Sequence, residues 1–533
     1  MLVESFNPFN NMLISAIVAA VPIILFLLCL TVFKMKGVYA ALTTLIVTAL
    51  VAMICFKLPA RIAGGATFEG FYQGIIPIGF IVIMAVWLYK IATESGQFNI
   101  VQDSIASISQ DQRIQLLLIG YLFNGFLEGA AGFGVPIAIC AVLLMQLGFK
   151  ALPAAMYCLV ANAAAGAYGA VGIPIAITDT LNLAGGVKAS QVALIGNLTL
   201  GLISFFVPFL LMFIIDGLKG VKETFPATLI AASVFTGLQV LIAAFAGPEL
   251  ADIIPGLGAM VALALFSRKF QPKNIFRLED NEAVGKVEKH SIKQIVYGWS
   301  PFIILTVIVM VWSLPAFKAL FEKGGALSAL VVNFNAPGTM NNVTHHPNVL
   351  TFNFIAQTGT AILVTAIITI LIAKHMSFKT AGKLLGVTVK ELWVSVLTIC
   401  FILAVSKITT YGGLSNAMGQ GIAKTGAIFP LLSPVLGWIG VFMTGSVVNN
   451  NSLFAPIQAS VATQIGTKGS LLVAANVAGG VTAKIVSPQS IAIATAAVNK
   501  VGKESELMKM AMRFSIGLLI FACIWTFMLS LFV

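Results

Sequence analysis

Two charged residues lie inside strongly apolar sequence, where an ionisable side chain costs roughly 2.5–3.5 kcal/mol on membrane-insertion scales. Glu128 is the only acid between Asp111 and Asp179, and Lys484 lies in a glycine-rich tract near the C-terminal end of the chain. Burial favours the protonated form of a carboxylic acid, which suits a proton carrier. We therefore predict that Glu128 is a proton-coupling residue and that Lys484 is the counter-ion of a carboxylate substrate. The ordinary alternatives are an acid at a helix end and a lysine that reaches the interface.

Amide side chains accompany these charges. Three consecutive asparagines at membrane depth suit a pocket that forms hydrogen bonds with hydroxyl and carboxylate groups, whereas close helix packing is the alternative role for the glycines. Asn162 and Asn476, at matching positions of two similar tracts, are predicted either to cap broken helices or to contact the ligand. The predicted substrate-binding residues are Gly129, Gly132, Phe133, Asn162, Ser446, Asn449, Asn450, Asn451, Asn476, Lys484 and Gln489. Lys407 is a candidate charge partner, although a snorkelling lysine is the more ordinary interpretation.

The elements that must position these residues are two pairs of tracts that interrupt apolar sequence. The tracts are 125–136 and 445–456, with the spacing G-x10-P, and 162–174 and 476–488, with the spacing A-N-x11-P. Non-helical backbone at membrane depth survives only where it is buried in protein or lines a cavity, and paired interruptions in two halves indicate a transporter site. We predict that residues 129–134 and 449–456 are non-helical, face one another and direct the adjoining helix N-termini at a carboxylate.

The composition is that of a membrane protein. Hydrophobic residues make up 59% and charged residues 9% of the 533 residues, whereas a soluble domain carries about 25% charged residues. At about 20 residues per crossing, the chain has room for about 12 to 14 spans, so we predict an all-α polytopic protein. The clear spans are 11–33, 37–56, 71–89, 190–215, 224–246, 250–267, 295–314, 351–373, 384–406 and 514–533.

The distribution of lysine and arginine predicts the orientation of these spans. The basic loops 268–293, 374–383 and 500–513 should be cytoplasmic, and the loop 315–350, with few basic residues, should be external. Counting crossings from these loops places the N-terminus and the C-terminus outside. The net charge of +12 is spread over short loops without an arginine-rich run, so it indicates this bias and no nucleic-acid partner.

The same count divides the chain into two halves. Residues 1–267 and 294–533 each form a membrane half, and the basic loop 268–293 joins them. Residues 114–187 cross from inside to outside, whereas residues 412–499 cross in the opposite direction. We therefore predict two inverted repeats, each with broken or re-entrant helices.

The sequence contains no motif for ATP hydrolysis and no recognisable catalytic centre. It has no G-x4-G-K-[ST] tract for ATP, and its six cysteines lie in apolar segments without metal-binding spacing. The histidines, all in loops, are His290, His345, His346 and His375. We therefore predict no enzymatic activity, no metal and no cofactor. A proton gradient across the bilayer is the expected driving force.

Several ordered stretches resemble the bacterial L-lactate permease family, and the similarity covers nearly all of the chain. The stretches are 124–134, 216–217, 222–224, 247–250, 437–442, 479–490 and 501–505. The resemblance implies proton-coupled uptake of L-lactate, with glycolate and related 2-hydroxy acids as further substrates, across a bacterial cytoplasmic membrane. It also implies kinship with the wider ion-transporter group, whose paired re-entrant hairpins fit the four tracts.

One tract departs from the pattern expected of that family. The family tract has the form G-S-D-T-S-S-N, whereas this chain has Val447 at the position of the acid, between Ser446 and Val448. The exact substrate and the coupling ion therefore stay open, and no oligomeric state is predicted. The alternatives are a carrier for another small organic anion with different ion coupling, and an anion channel built on the same pore.

Overall fold

Apolar helices form most of this computed structural model, as the composition predicts. The structure describes residues 7–270, 272, 274–278, 290–322, 324–340, 347–374 and 376–532. The predictions that concern His345, His346 and His375 lie outside these residues, as does most of the charged part of the basic loop, 279–289.

The helices follow one another with short connections. The first twelve are α1 (Met12–Thr31), α2 (Gly37–Ile54), α3 (Ala60–Gln73), α4 (Phe80–Glu94), α5 (Gln97–Ala106), α6 (Gln112–Gln115), α7 (Asn124–Ala130), α8 (Val135–Gln146), α9 (Ala151–Asn162), α10 (Gly169–Ala176), α11 (Ala189–Phe245) and α12 (Ile253–Ser267). The remaining ten are α13 (Ile292–Ser313), α14 (Pro315–Ala319), α15 (Thr358–Ile372), α16 (Phe378–Tyr411), α17 (Leu414–Ala423), α18 (Phe429–Thr444), α19 (Val447–Ile465), α20 (Gly469–Lys484), α21 (Pro488–Ala497) and α22 (Glu504–Ser530). Two π-helical segments, Gly74–Gly79 and Leu116–Phe123, join α3 to α4 and α6 to α7.

Within the described residues, nine helical stretches are long and apolar enough to cross a bilayer, and four shorter apolar helices accompany them. The predicted class, a multi-pass helical membrane protein, is therefore confirmed. The predicted spans 190–215 and 224–246 belong to the single helical stretch α11, which is interrupted where Asp216 and Gly217 leave helical geometry.

A small β-hairpin is the exception to the helical fold. Strands β1 (Val332–Met340) and β2 (Pro347–Phe352) pair antiparallel, with Phe334 opposite Leu350. They occupy part of the predicted external loop 315–350. Because β2 extends to Phe352, the helix of the predicted span 351–373, α15, begins only at Thr358.

Glycines allow α18 and α20 to pack at backbone distance. A Cβ atom at Gly437 would collide with the carbonyl oxygen of Asn476, and one at Gly479 would collide with that of Pro434. Small residues at such contacts let membrane helices approach closely. Close packing therefore explains Gly437 and Gly479.

Connecting segments from three parts of the chain meet around the buried Arg113. Its guanidinium forms ion pairs of 2.8 Å with Asp111, Asp216 and Glu223, and it donates to the carbonyl of Asn274 at 2.9 Å. These segments therefore lie on one face of the molecule. The charge pattern assigns all three to the same side of the membrane.

Candidate functional site

The first glycine-rich tract contains a true helix break. Helix α7 ends at Ala130, and the next turn contains three residues in the left-handed region, Gly132 (φ 60°), Phe133 (φ 52°) and Gly134 (φ 83°). Helix α8 then begins at Val135. The non-helical segment is therefore 131–134, which is shorter than the predicted 129–134.

The prediction for the second tract was wrong in its position. The chain breaks at Gly445 (φ 68°) and Ser446, and α19 then runs as a helix from Val447 to Ile465, so residues 449–456 are helical. The helix begins early because Ser446 is its N-cap residue. The Ser446 side chain accepts a hydrogen bond from the backbone N–H of Asn449 at 3.2 Å. The asparagines are therefore placed on the first turn of a regular helix.

The two partner tracts also break, at different places. In the first, Ala170, Val171 and Gly172 form a left-handed turn with φ of 45°, 57° and 75°. Such backbone is strained for Ala and Val and clusters at functional sites. In the second, α20 stays helical through Lys484, and the break falls just before Pro488.

These breaks surround a cavity of about 310 Å³. This volume is at the small end of the roughly 300–1,000 Å³ of ligand sites, so the cavity suits a small solute. Residues at the N-termini of several helices line it, among them Gly134 before α8, Val447 of α19 and Gln489 of α21. Unpaired backbone N–H groups and the helix dipole make a helix N-terminus favourable for an anion.

Glu128 and Lys484 meet in the wall of this cavity. The Lys484 Nζ atom lies 2.5 Å from Glu128 Oε1, and the side chains are only 10% and 3% exposed. The other carboxylate oxygen, Oε2, accepts from Asn162 Nδ2 at 2.8 Å. The sequence predicts separate roles for these two residues, and the structure shows that each is the other's charge partner.

Only one of the three consecutive asparagines lines the cavity. Asn449 does so, and its Oδ1 atom has no hydrogen-bond partner among the described residues. Asn451 donates to the carbonyl of Pro174 at 2.6 Å and accepts from Asn476 at 2.8 Å. Asn450 is buried behind the cavity wall, beside Gly440 and Gly480.

The other predicted site residues divide into two groups. The ones that line the cavity are Gly132, Phe133, Ser446 and Gln489. Gly129, Asn162 and Asn476 do not. Gly129 packs against Asp252 and Ile253, while the Asn162 and Asn476 side chains bond Glu128 and Asn451. Neither asparagine caps a helix.

Lys407 lies outside the cavity in a second buried ion pair. Its Nζ atom lies 2.6 Å from Glu69 Oε1 and also contacts the carbonyl oxygen of Thr180. The Tyr411 hydroxyl donates to Glu69 Oε2 at 2.7 Å. Lys407 is 1% exposed, so it does not snorkel. It is a charge partner, of Glu69 rather than of the predicted site.

Sequence reasoning missed Glu69 and Asp252, buried acids that lie in or beside these two lysine–glutamate pairs. Asp252 falls inside the predicted span 250–267, so the criterion that selected Glu128, an acid within apolar sequence, would have found it. Glu69 lies two residues before the predicted span 71–89, and the helical stretch that contains it begins earlier, at Ala60.

A multi-pass helical bundle that encloses a small polar cavity between broken helices, with a buried ion pair in the cavity wall, is a membrane transporter. The chain belongs to the L-lactate permease family, whose model matches residues 15–533. Members of this family are named permeases, so the protein is a transporter and not an enzyme.

Curated relatives align along the whole chain. It is 54% identical to the L-lactate permease of Halalkalibacterium halodurans over 531 residues, which are 100% of both chains. It is 42% identical to that of Salmonella typhimurium and 41% identical to the glycolate permease GlcA of Escherichia coli K12, with 98% of this chain and 96% of each relative covered. The solved YdaH transporter of Alcanivorax borkumensis aligns at 14% identity with a TM-score of 0.45, covering 86% of each chain.

Proposed function

We propose that the protein imports L-lactate and related small 2-hydroxy monocarboxylates together with a proton, across a bacterial cytoplasmic membrane with both termini external. The names of the relatives support the substrate class, because lactate and glycolate are both 2-hydroxy monocarboxylates. The inverted relation of repeats 114–187 and 412–499, within halves 1–267 and 294–533, is part of the same proposal. The observation that carries it is the Glu128–Lys484 pair in the cavity wall.

A substrate carboxylate competes with Glu128 for Lys484. The helix N-termini of α8, α19 and α21 supply partial positive charge, and Lys484 supplies the only full positive charge that is buried among the described cavity-lining residues. An anion that enters the cavity gains most by binding the ammonium group, which requires Glu128 to give it up. Lys484 therefore changes partner as the substrate binds.

This exchange links substrate binding to proton binding. An ionised Glu128 that has lost its lysine is a buried unpaired carboxylate, and breaking a buried pair in this way costs about 3–5 kcal/mol. Taking up a proton removes that charge. Substrate and proton thus favour each other's binding, because the coupling free energy acts equally in both directions. The loaded site stays neutral, which lowers the barrier to a conformational change within the membrane.

Asn449 is the proposed contact of the 2-hydroxyl group. Asn449 lines the cavity, and its buried Oδ1 atom has no partner within the described part of the chain. A hydroxyl group is a donor that satisfies such an acceptor. The asparagine lies on the first turn of α19, close to the helix N-terminus that attracts the carboxylate, so one helix end presents both contacts.

Uptake into proteoliposomes tests the proposal. With an imposed pH gradient, inside alkaline, the wild-type protein should concentrate L-lactate, and sodium or voltage gradients alone should not replace the pH gradient. Glu128→Gln mimics the protonated acid, so it should exchange lactate across the membrane without accumulating it. Lys484→Met keeps the length of the side chain and removes the charge, so it should bind no lactate.

Two results would contradict the proposal. Accumulation by Glu128→Gln, when pH alone drives uptake, would mean that the coupling proton binds elsewhere. Non-saturable flux in the wild type, without uphill accumulation, would favour an anion channel. Circular dichroism and size-exclusion profiles of the variants show whether each loss reflects transport or folding.

A further inference from the structure

Asp252 is a third ionisable side chain beside the ion pair. It precedes the first residue of α12, but its side chain accepts no hydrogen bond from a backbone N–H of that helix, and it is 1% exposed. A Cβ atom at Gly129, the neighbour of Glu128 in the chain, would lie 2.7 Å from the Asp252 Cβ atom. Gly129 therefore lets the α7 backbone approach this aspartate.

The two carboxyl groups have different surroundings. Both oxygens of Glu128 accept hydrogen bonds, one from an ammonium group and one from an amide, which stabilises the ionised form. Asp252 accepts a single hydrogen bond at Oδ1, from Gln239 Nε2 at 2.9 Å. In the described structure its Oδ2 atom has no partner, and no cation lies within ion-pair distance of it.

None of the titratable groups near Asp252 in the described part of the chain compensates for a charge on it. Those that interact electrostatically with it include Glu128, Lys484, Tyr121 and Tyr168. Lys484 is already paired with Glu128. The two tyrosine hydroxyls donate elsewhere, to the carbonyl of Ser204 and to the side chain of Asn197.

We infer that Asp252 is a resident proton site, a carboxylic acid that stays neutral in the empty transporter at neutral pH. A buried carboxylate without a cation costs far more free energy than a neutral acid with one unsatisfied oxygen, which costs about 1–3 kcal/mol. The buried groups of the empty site are then one ammonium, one carboxylate and one neutral acid, and their net charge is zero.

This inference deepens the proposed function by fixing the charge of the site. With Asp252 neutral, Lys484 has one anionic partner at a time, either Glu128 or the substrate. One substrate carboxylate then requires one proton, on Glu128, and the site is neutral in both states. With Asp252 ionised, the substrate would enter a site with net negative charge, and neutrality would require two protons.

Infrared difference spectroscopy of the purified, lactate-free protein at neutral pH tests this assignment without any transport measurement. The spectrum of the wild type minus Asp252→Asn should contain the carbonyl stretching band of a protonated carboxylic acid. The matched control, wild type minus Glu128→Gln, should contain the bands of an ionised carboxylate instead. A carboxylate band in the Asp252 difference would overturn the inference.

Isotope labelling keeps the test valid if Asp252→Asn does not fold. Aspartate labelled with ¹³C at the side-chain carboxyl should shift the acid band of the unmodified protein to lower frequency, whereas labelled glutamate should leave it in place. The absence of any protonated aspartic acid band would equally overturn the inference. Adding L-lactate should create a second acid band, from Glu128. Failure of that band alone would contradict the proposed coupling and leave Asp252 assigned.

Discussion

The proposed competition for Lys484 predicts how many protons are taken up with each lactate. One carboxylate holds the ammonium at 2.5 Å, so the proposed exchange of partners predicts that one proton binds when lactate displaces Glu128. Over the pH range in which Glu128 is ionised in the empty site and protonated in the loaded site, lactate binding should weaken as pH rises. The Kd should increase about tenfold per pH unit, which is about 1.4 kcal/mol.

Isothermal titration calorimetry of the protein in detergent measures this linkage without a membrane gradient. Titrations at one pH in two buffers with different ionisation enthalpies give the proton count directly, and the wild type should take up one proton per lactate. Glu128→Gln should take up none, and its Kd should be independent of pH over the same range.

The double variant Glu69→Gln/Lys407→Met is the matched control, because it removes a buried lysine–glutamate pair that lies outside the cavity. It should keep an uptake of one proton per lactate. Proton-independent binding by the wild type would refute the competition for Lys484. An unchanged proton count in Glu128→Gln would assign the proton to another group.

Three further predictions concern selectivity and packing. Asn449→Ala should lower the preference for lactate over propionate, which lacks the hydroxyl, by roughly 2- to 10-fold, because a neutral hydrogen bond contributes about 0.5–1.5 kcal/mol. Asn450→Ala, the same truncation behind the cavity wall, should keep the preference. Competition uptake assays compare the two variants. Lys407→Met should lower the free energy of unfolding by about 3–5 kcal/mol, because Glu69 stays buried without its cation. Adding Glu69→Gln should restore most of the lost stability. An unfolding temperature in detergent that does not change in Lys407→Met would contradict this prediction. Gly479→Ala should lower the free energy of unfolding by about 1–3 kcal/mol through its collision with the Pro434 carbonyl. Gly382→Ala, which meets no atom within 4 Å, should leave the unfolding temperature unchanged or slightly raised.

Composition and chain patterning determined the class of this protein. A chain with 59% hydrophobic and 9% charged residues must place most of its helices in lipid, since a soluble surface needs more charge. The paired glycine-rich and proline-containing tracts marked where helices break, because glycine adopts left-handed backbone readily. Glu128 and Lys484 were identifiable because a charge inside apolar sequence is costly.

Tertiary packing alone decided which of those residues act together. Glu128 and Lys484 are 356 positions apart, and the sequence has no local signal for a contact between α7 and the end of α20. The same is true of Lys407 and Glu69, 338 positions apart, and of the approach of Asp252 to Gly129. Local sequence sets the cost of burying each charge, but the partner that offsets this cost depends on which helices pack side by side. The second tract shows the converse: Ser446 caps α19, so residues 449–456 are helical, and the rotation of that helix brings Asn449, but not Asn450 or Asn451, to the cavity.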